Sequence, residues 1–277
     1  MKLDFSVEET VKARSSIRTY EEQGITAEEK AKIDAYIHAL SNPFGADISF
    51  CFLETGEASN GEKLGTYGTI KGARNFIGVA AADEEFALEA VGYSFEKLIL
   101  YAASLGLGTC WLGGTFQRSQ FASAMGFQDK ELFPAISPIG HPFGKKRLRD
   151  SVVRWAAKSD QRKSWKEIFY KGDFSHPLTE ADAGAYAFPL EMLRLAPSAV
   201  NKQPWQIVQG ENCYHFYEAK TLSEEKFDIQ RVDIGIAACH FHLAAMERDL
   251  SGRFEKLSTP ELPAPDSLHY IFSWIVE

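Results

Sequence analysis

At 277 residues, with 45% hydrophobic and 25% charged residues, the chain has a globular composition and room for one large domain or two modest ones. Its net charge of −8 argues against a nucleic-acid partner, which demands a concentrated basic face, so any basic cluster here is local, and no apolar run reaches the ~18 residues of a membrane span. Four widely spaced cysteines (Cys51, Cys110, Cys213, Cys239) contain no CxxC pair, which suits reduced thiols better than a disulfide framework or a zinc site, so a cytoplasmic protein is expected.

In chain order, Ser6 followed by Glu8 and Glu9 reads as a helix start. Thr26 with Glu29 forms a capping box and opens a helix to about Leu40, which Ser41-Asn42-Pro43 stops. Ile48 to Glu54 (ISFCFLE) is rich in β-formers and predicts a strand. Asn60 to Gly72 reads as a glycine-rich loop, and Phe76 to Ala81 as a short apolar strand. Across Glu84 to Leu105, apolar residues at three- and four-residue steps (Ala87, Val91, Phe95, Leu98, Ala102, Leu105) predict a core-facing helix ended by Gly106 and Gly108. Gly144 to Lys166 is polar and basic, as a crossing connector would be. The same order then returns: a helix over Thr179 to Leu195 that Pro189 must kink or restart, a loop over Ala196 to Pro204, a strand at Trp205 to Val208, and an apolar helix over Ile234 to Leu250.

A repeat accounts for that return. A shift of 155 places Leu40 on Leu195 and Phe50 on Trp205, and a shift of 142 places Ala102-Ala103 on Ala244-Ala245. Two tandem units are therefore expected, 1–165 and 166–277. The expected fold is α+β, with mainly antiparallel sheets flanked by helices. The two long apolar helices should lie between the copies, forming a pseudo-dimer inside one monomeric chain.

Four segments could carry chemistry. In RSSIRTY (Arg14 to Tyr20), two arginines with serines between them can present donors to one phosphate, or form a solvated basic helix end. GLGTCWLGG (Gly106 to Gly114) allows a planar ligand to approach closely, or is a helix cap and turn. KKRLR (Lys145 to Arg149) after GHPFG is a second basic cluster, or a solvated face. In APSAVNKQPW (Ala196 to Trp205), prolines stiffen a loop whose Asn201 and Gln203 amides suit the edge of a heteroaromatic ring, or it is a surface turn. His240 and His242 point about 200° apart on a helix and read as core-edge or surface residues, so no metal site is expected.

Together and in this order, the four segments resemble the nitroreductase family, and the resemblance covers most of the chain. It implies FMN as cofactor. Arg14, Ser15, Ser16 and Arg18 would hold its phosphate and ribityl end, with Lys145 and Arg147 assisting. Cys110, Trp111, Leu112, Gly113 and Gly114 would line the isoalloxazine. Pro197, Ser198, Ala199, Asn201 and Gln203, matching the loop that a partner subunit contributes in the family, would close the site from the second unit. The family scheme is ping-pong: NAD(P)H reduces the bound flavin and leaves, and a small electron-poor acceptor is reduced in turn. No catalytic side chain is required, although Arg18, or Lys71, would stabilise the charge of the reduced flavin. A flavin-binding storage or sensing protein without turnover is the alternative. Each copy departs from the family pattern in what it lacks. Ala46 and Ile48 stand where the second copy has Asn201 and Gln203, and Glu167, Ile168 and Phe169 stand where the first has Arg14, Ser15 and Ser16. Such complementary losses predict one composite site per chain.

Overall fold

The computed structural model describes residues 3–55, 64–144, 161–221, 227–258, 262 and 264–277. Helix α1 (Val7–Ala13) begins at Ser6, whose hydroxyl accepts the Glu9 N–H. The carboxylate of Glu247, from the far end of the chain, takes the Val7 and Glu8 N–H groups at 2.6 and 3.2 Å, so the free donors of the first turn meet a negative charge. The helix stops at Arg14, whose ψ of 130° turns the backbone extended. RSSIRTY is therefore an extended segment and not a basic helix end. Helix α2 (Ala27–Ala39) carries the expected capping box, Thr26 N to Glu29 Oε2 at 2.8 Å and Glu29 N to Thr26 Oγ1 at 3.2 Å.

Strands β1 (Ile48–Glu54), β2 (Asn75–Ala81), β3 (Gly108–Thr109) and β4 (Leu132–Gly140) form an antiparallel sheet in the order β1-β2-β4-β3. Both of its faces are covered. Along β2, Ile77, Val79 and Ala81 face the core shared with helix α3 (Ala87–Ser104), while Phe76 and Ala80 face a second cluster containing Phe121 and Met125 of helix α4 (Arg118–Met125). That two-residue alternation is the pleat of a strand buried on both sides.

After a helical turn at Trp165–Ile168 come β5 (Phe169–Lys171), β6 (Asp173–Pro177), helix α5 (Ala187–Arg194), β7 (Trp205–Gln209), β8 (Cys213–Ala219), helix α6 (Ile229–Glu247), β9 (Gly252–Glu255) and β10 (Leu268–Val276). The strands form a second sheet, ordered β6-β5-β7-β8-β10-β9 and antiparallel except for β5 beside β7. The predicted helix over Thr179 to Leu195 is broken at Gly184 (φ 58°, ψ −127°) and restarts at Ala187. Pro189 then falls in the first turn of α5, where a missing N–H costs nothing.

The two halves meet where α3 crosses α6. A Cβ added to Gly92 would lie 2.1 Å from the Val232 carbonyl oxygen, and one on Gly235 would lie 2.1 Å from that of Glu89. Glycine alone permits this approach. Helix α6 starts five residues ahead of the predicted Ile234, because Asp228 caps it by accepting the Gln230 N–H at 3.0 Å and its first turn is too polar to show apolar periodicity. Glu89 and Arg231, 142 residues apart, form an ion pair across the crossing. The repeat shift thus brings the same position of the two copies face to face, as a pseudo-twofold requires. Among the described residues no helix is long and apolar enough to cross a membrane.

Candidate functional site

The extended RSSIRTY segment is held by three loops. Ile17 N donates to Thr109 O at 2.8 Å, Lys71 N to Arg18 O at 2.9 Å, Tyr20 N to Lys71 O at 2.9 Å, and Phe143 N to Thr19 O at 3.0 Å. The start of GLGTCWLGG, Lys71 and the GHPF turn are thereby fixed around Arg14 to Tyr20. Two glycines make room: a Cβ on Gly108 would lie 2.9 Å from Ile17, and one on Gly72 would lie 2.2 Å from the Tyr20 carbonyl. Ser15 and Ser16 are half-buried in this cradle. Arg18 Nη1 is buried and meets no acceptor among the described residues. An orphaned guanidinium nitrogen is costly in a folded chain until an acceptor completes it, and its charge makes an anion a favoured one. Lys145 and Arg147 lie outside the described residues.

The GLGTCWLGG loop is rigid at its base and open at its end. Cys110 N donates to Ser137 Oγ at 3.0 Å, and Leu112 exchanges backbone bonds with Ile136 at 2.9 and 3.1 Å. Arg118 clamps the far end, donating to the carbonyls of Gly113, at 2.5 Å, and of Phe133. A Cβ on Gly113 would meet Ile229 of α6 at 3.3 Å, whereas one on Gly114 would meet nothing within 4 Å. The loop therefore leans on the second half and has free space on one side.

The APSAVNKQPW loop docks one helical turn away. Ala199 N donates to both carboxylate oxygens of Asp233, at 3.0 and 3.1 Å. Burial pushes the Asp233 carboxyl well above the usual range, opposed by that N–H and reinforced by Asp228 and Glu218. Ile229 and Asp233 are four apart on α6, so the contacts with Gly113 and with Ala199 share a face and lie ~6 Å apart along its axis. The backbone here is strained: Val200, Asn201 and Gln203 all have φ between 44° and 56°, and a β-branched residue such as Val200 resists that region most strongly. Val200 is also 67% exposed.

The two amides do not present free edges. Asn201 Oδ1 accepts from Arg162 Nη1 at 3.1 Å and its Nδ2 donates to Gln161 O at 2.9 Å, while Gln203 Oε1 accepts the Lys163 N–H at 2.8 Å. Gln203 is 4% exposed, and a buried amide must be paired. Here the connector ending at residues 161–163 supplies the partners, so both side chains brace the loop.

Between these parts stands Glu96 of α3, fully buried. Its Oε2 accepts from Trp111 Nε1 at 2.6 Å, and its Oε1 lies 2.9 Å from His240 Nε2 and 3.9 Å from Arg14 Nε. The other nitrogen of His240, Nδ1, is 3.0 Å from the Met192 carbonyl. His240 is thus a core residue, not an edge one. The apolar stepping of α3 points to its core-facing stripe but says nothing of the rest. Phe95, Glu96 and Lys97 are all buried because α3 is enclosed on every side, and a carboxylate beside a lysine otherwise reads as a solvated face.

The family described as "Putative TM nitroreductase" matches residues 6–245. The chain belongs to that nitroreductase family, and with it to the oxidoreductase enzymes. A solved "putative nitroreductase" of Thermotoga maritima is 18% identical with a TM-score of 0.62, covering 100% of this chain and 96% of its own. That full-length match shows the fold. A nitroreductase with bound FMN from Bacteroides fragilis is 20% identical over 52% of this chain and 95% of its own, with a TM-score of 0.40. An FMN-dependent nitroreductase from Clostridium difficile is 20% identical over 51% and 92%, with a TM-score of 0.41. No curated protein matches the chain.

Proposed function

We propose that the chain is an FMN-dependent NAD(P)H oxidoreductase that reduces a small electron-poor acceptor, with one flavin per chain held between units 1–165 and 166–277. The observation that carries this reading is the convergence at α6. The first-half loop ending at Gly113 and the second-half loop beginning at Pro197 both rest there, one turn apart, with the arginine-bearing segment bonded along the base of the first. The buried Arg18 Nη1, without an acceptor among the described residues, supports an anionic ligand at that base.

In this assignment Arg14, Ser15, Ser16 and Arg18 bind the phosphate and ribityl end, assisted by Lys145 and Arg147. Cys110, Trp111, Leu112, Gly113 and Gly114 line the ring, and Pro197, Ser198 and Ala199 close it, braced by Asn201 and Gln203. FMN, when bound, supplies the two-electron chemistry that links NAD(P)H oxidation to reduction of the acceptor. Arg18, if it also reaches the ring edge, or Lys71 would hold positive charge where the reduced flavin's negative charge develops. The free space beside Gly114 is consistent with reductant and acceptor using one face of the ring in turn, a ping-pong order. No side chain is assigned as a general acid or base.

The test is the visible spectrum of the purified protein, supplemented with FMN and then with NADH or NADPH. Flavin bands that bleach on adding the nicotinamide and return with a quinone or nitroaromatic are expected. Flavin that binds but never bleaches would make the chain a storage or sensing protein, and absence of any affinity for FMN would overturn the assignment.

A further inference from the structure

A fully buried carboxylate must gather donors or lose its charge, and Glu96 has two hydrogen-bond partners and one nearby cation, from three separate parts of the chain. Trp111 belongs to the loop placed at the flavin ring, Arg14 to the segment placed at its phosphate, and His240 to the second half. The hydrogen-bond arithmetic is closed. The Met192 carbonyl can only accept, so His240 Nδ1 carries a proton. Trp111 Nε1 can only donate, so Glu96 Oε2 accepts. A single proton then lies between His240 Nε2 and Glu96 Oε1. The indole is held in this position from its other side as well, edge-on to Phe95 with ring centroids 4.7 Å apart.

We propose that Glu96 is a positioning residue for the flavin site: paired with His240, it fixes the indole of Trp111, and through it the ring-facing loop, against the second half of the chain. Arg14 Nε lies 3.9 Å from Glu96 Oε1, near enough for charge attraction but beyond hydrogen-bond reach, so the positioning role rests on the Trp111 and His240 bonds. This role rests on the flavin site proposed above. It adds that the interface between the halves sets the affinity for FMN through one buried carboxylate that touches no part of the cofactor.

The test is titration of FMN into the flavin-free full chain, read by quenching of flavin fluorescence, with the thermal melt of the flavin-free protein as a check on folding. In E96L, Trp111 and His240 lose their partner, and the Kd for FMN should rise at least tenfold. In E96Q the amide oxygen accepts from Trp111 and the amide nitrogen donates to His240 Nε2, so the Kd should stay within threefold of wild type. If E96L does not fold, W111F removes the same bond from the other side and should weaken FMN tenfold with little change in melting. Folded E96L or W111F binding FMN like wild type would overturn the role of Glu96, as would E96Q failing as badly as E96L. Wild-type protein with no affinity for FMN would instead overturn the flavin site itself.

Discussion

Two side chains, Arg18 and Glu218, carry predictions that their immediate surroundings decide. Arg18 Nη1 meets no acceptor among the described residues, and if the proposed phosphate completes it, a charge-assisted bond of this kind contributes about 1.5–3 kcal/mol. R18A should therefore weaken FMN binding by at least tenfold in an equilibrium titration, and an unchanged Kd would place the phosphate elsewhere. A second group answers to pH. Burial, reinforced by Asp228, raises Glu218 to about 7 against the opposing charges of Lys220 and Arg231. A carboxyl whose folded pKa is raised favours the fold while protonated, so its contribution is complete below about 4.5 and fades as pH climbs through about 7. E218Q should melt higher than wild type at pH 8 by a few degrees, with the gap closing at pH 5. The close backbone approach at Gly108 was legible in the sequence from residue type, and the arginines and serines of the proposed phosphate end were singled out there for the same reason. Glu96, His240 and Asp233 were not, since pairing across a core depends on which faces meet. The bracing of Asn201 and Gln203 by residues 161–163 was equally hidden.

Among the elements, β1 matches its predicted limits, Ile48 to Glu54, and the α2 capping box forms as its residues dictate. Both are decided locally, by β-branched and aromatic content or by side chains three residues apart. Strands β5 and β9, of three and four residues, are too short for alternation to show. The break at Gly184 is a backbone event that Pro189, five residues on, masks. The α3–α6 crossing makes the sharpest prediction. G92A would place a methyl group against the Val232 carbonyl, and overpacking of this kind costs about 1–3 kcal/mol or more. Its melting temperature should drop by several degrees, whereas G114A, whose Cβ meets nothing within 4 Å, should melt like wild type. Equal melting of the two variants would contradict the close crossing.

Across the whole molecule, the two halves keep separate sheets but share their helical contacts. The four-stranded sheet comes entirely from residues 48–140 and the six-stranded sheet from 169–276. Yet α1 of the first half is capped by Glu247 of the second, and the Glu89–Arg231 and Glu96–His240 pairs tie the central helices together. If these contacts replace those that a second subunit would make, as the pseudo-dimer reading proposes, a monomer is the expected state in solution. Native mass spectrometry of the FMN-loaded protein tests the composite site most directly. A single chain carrying one FMN is predicted. Two flavins on one chain, or flavin retained by dimers alone, would contradict a site shared between the halves of one polypeptide.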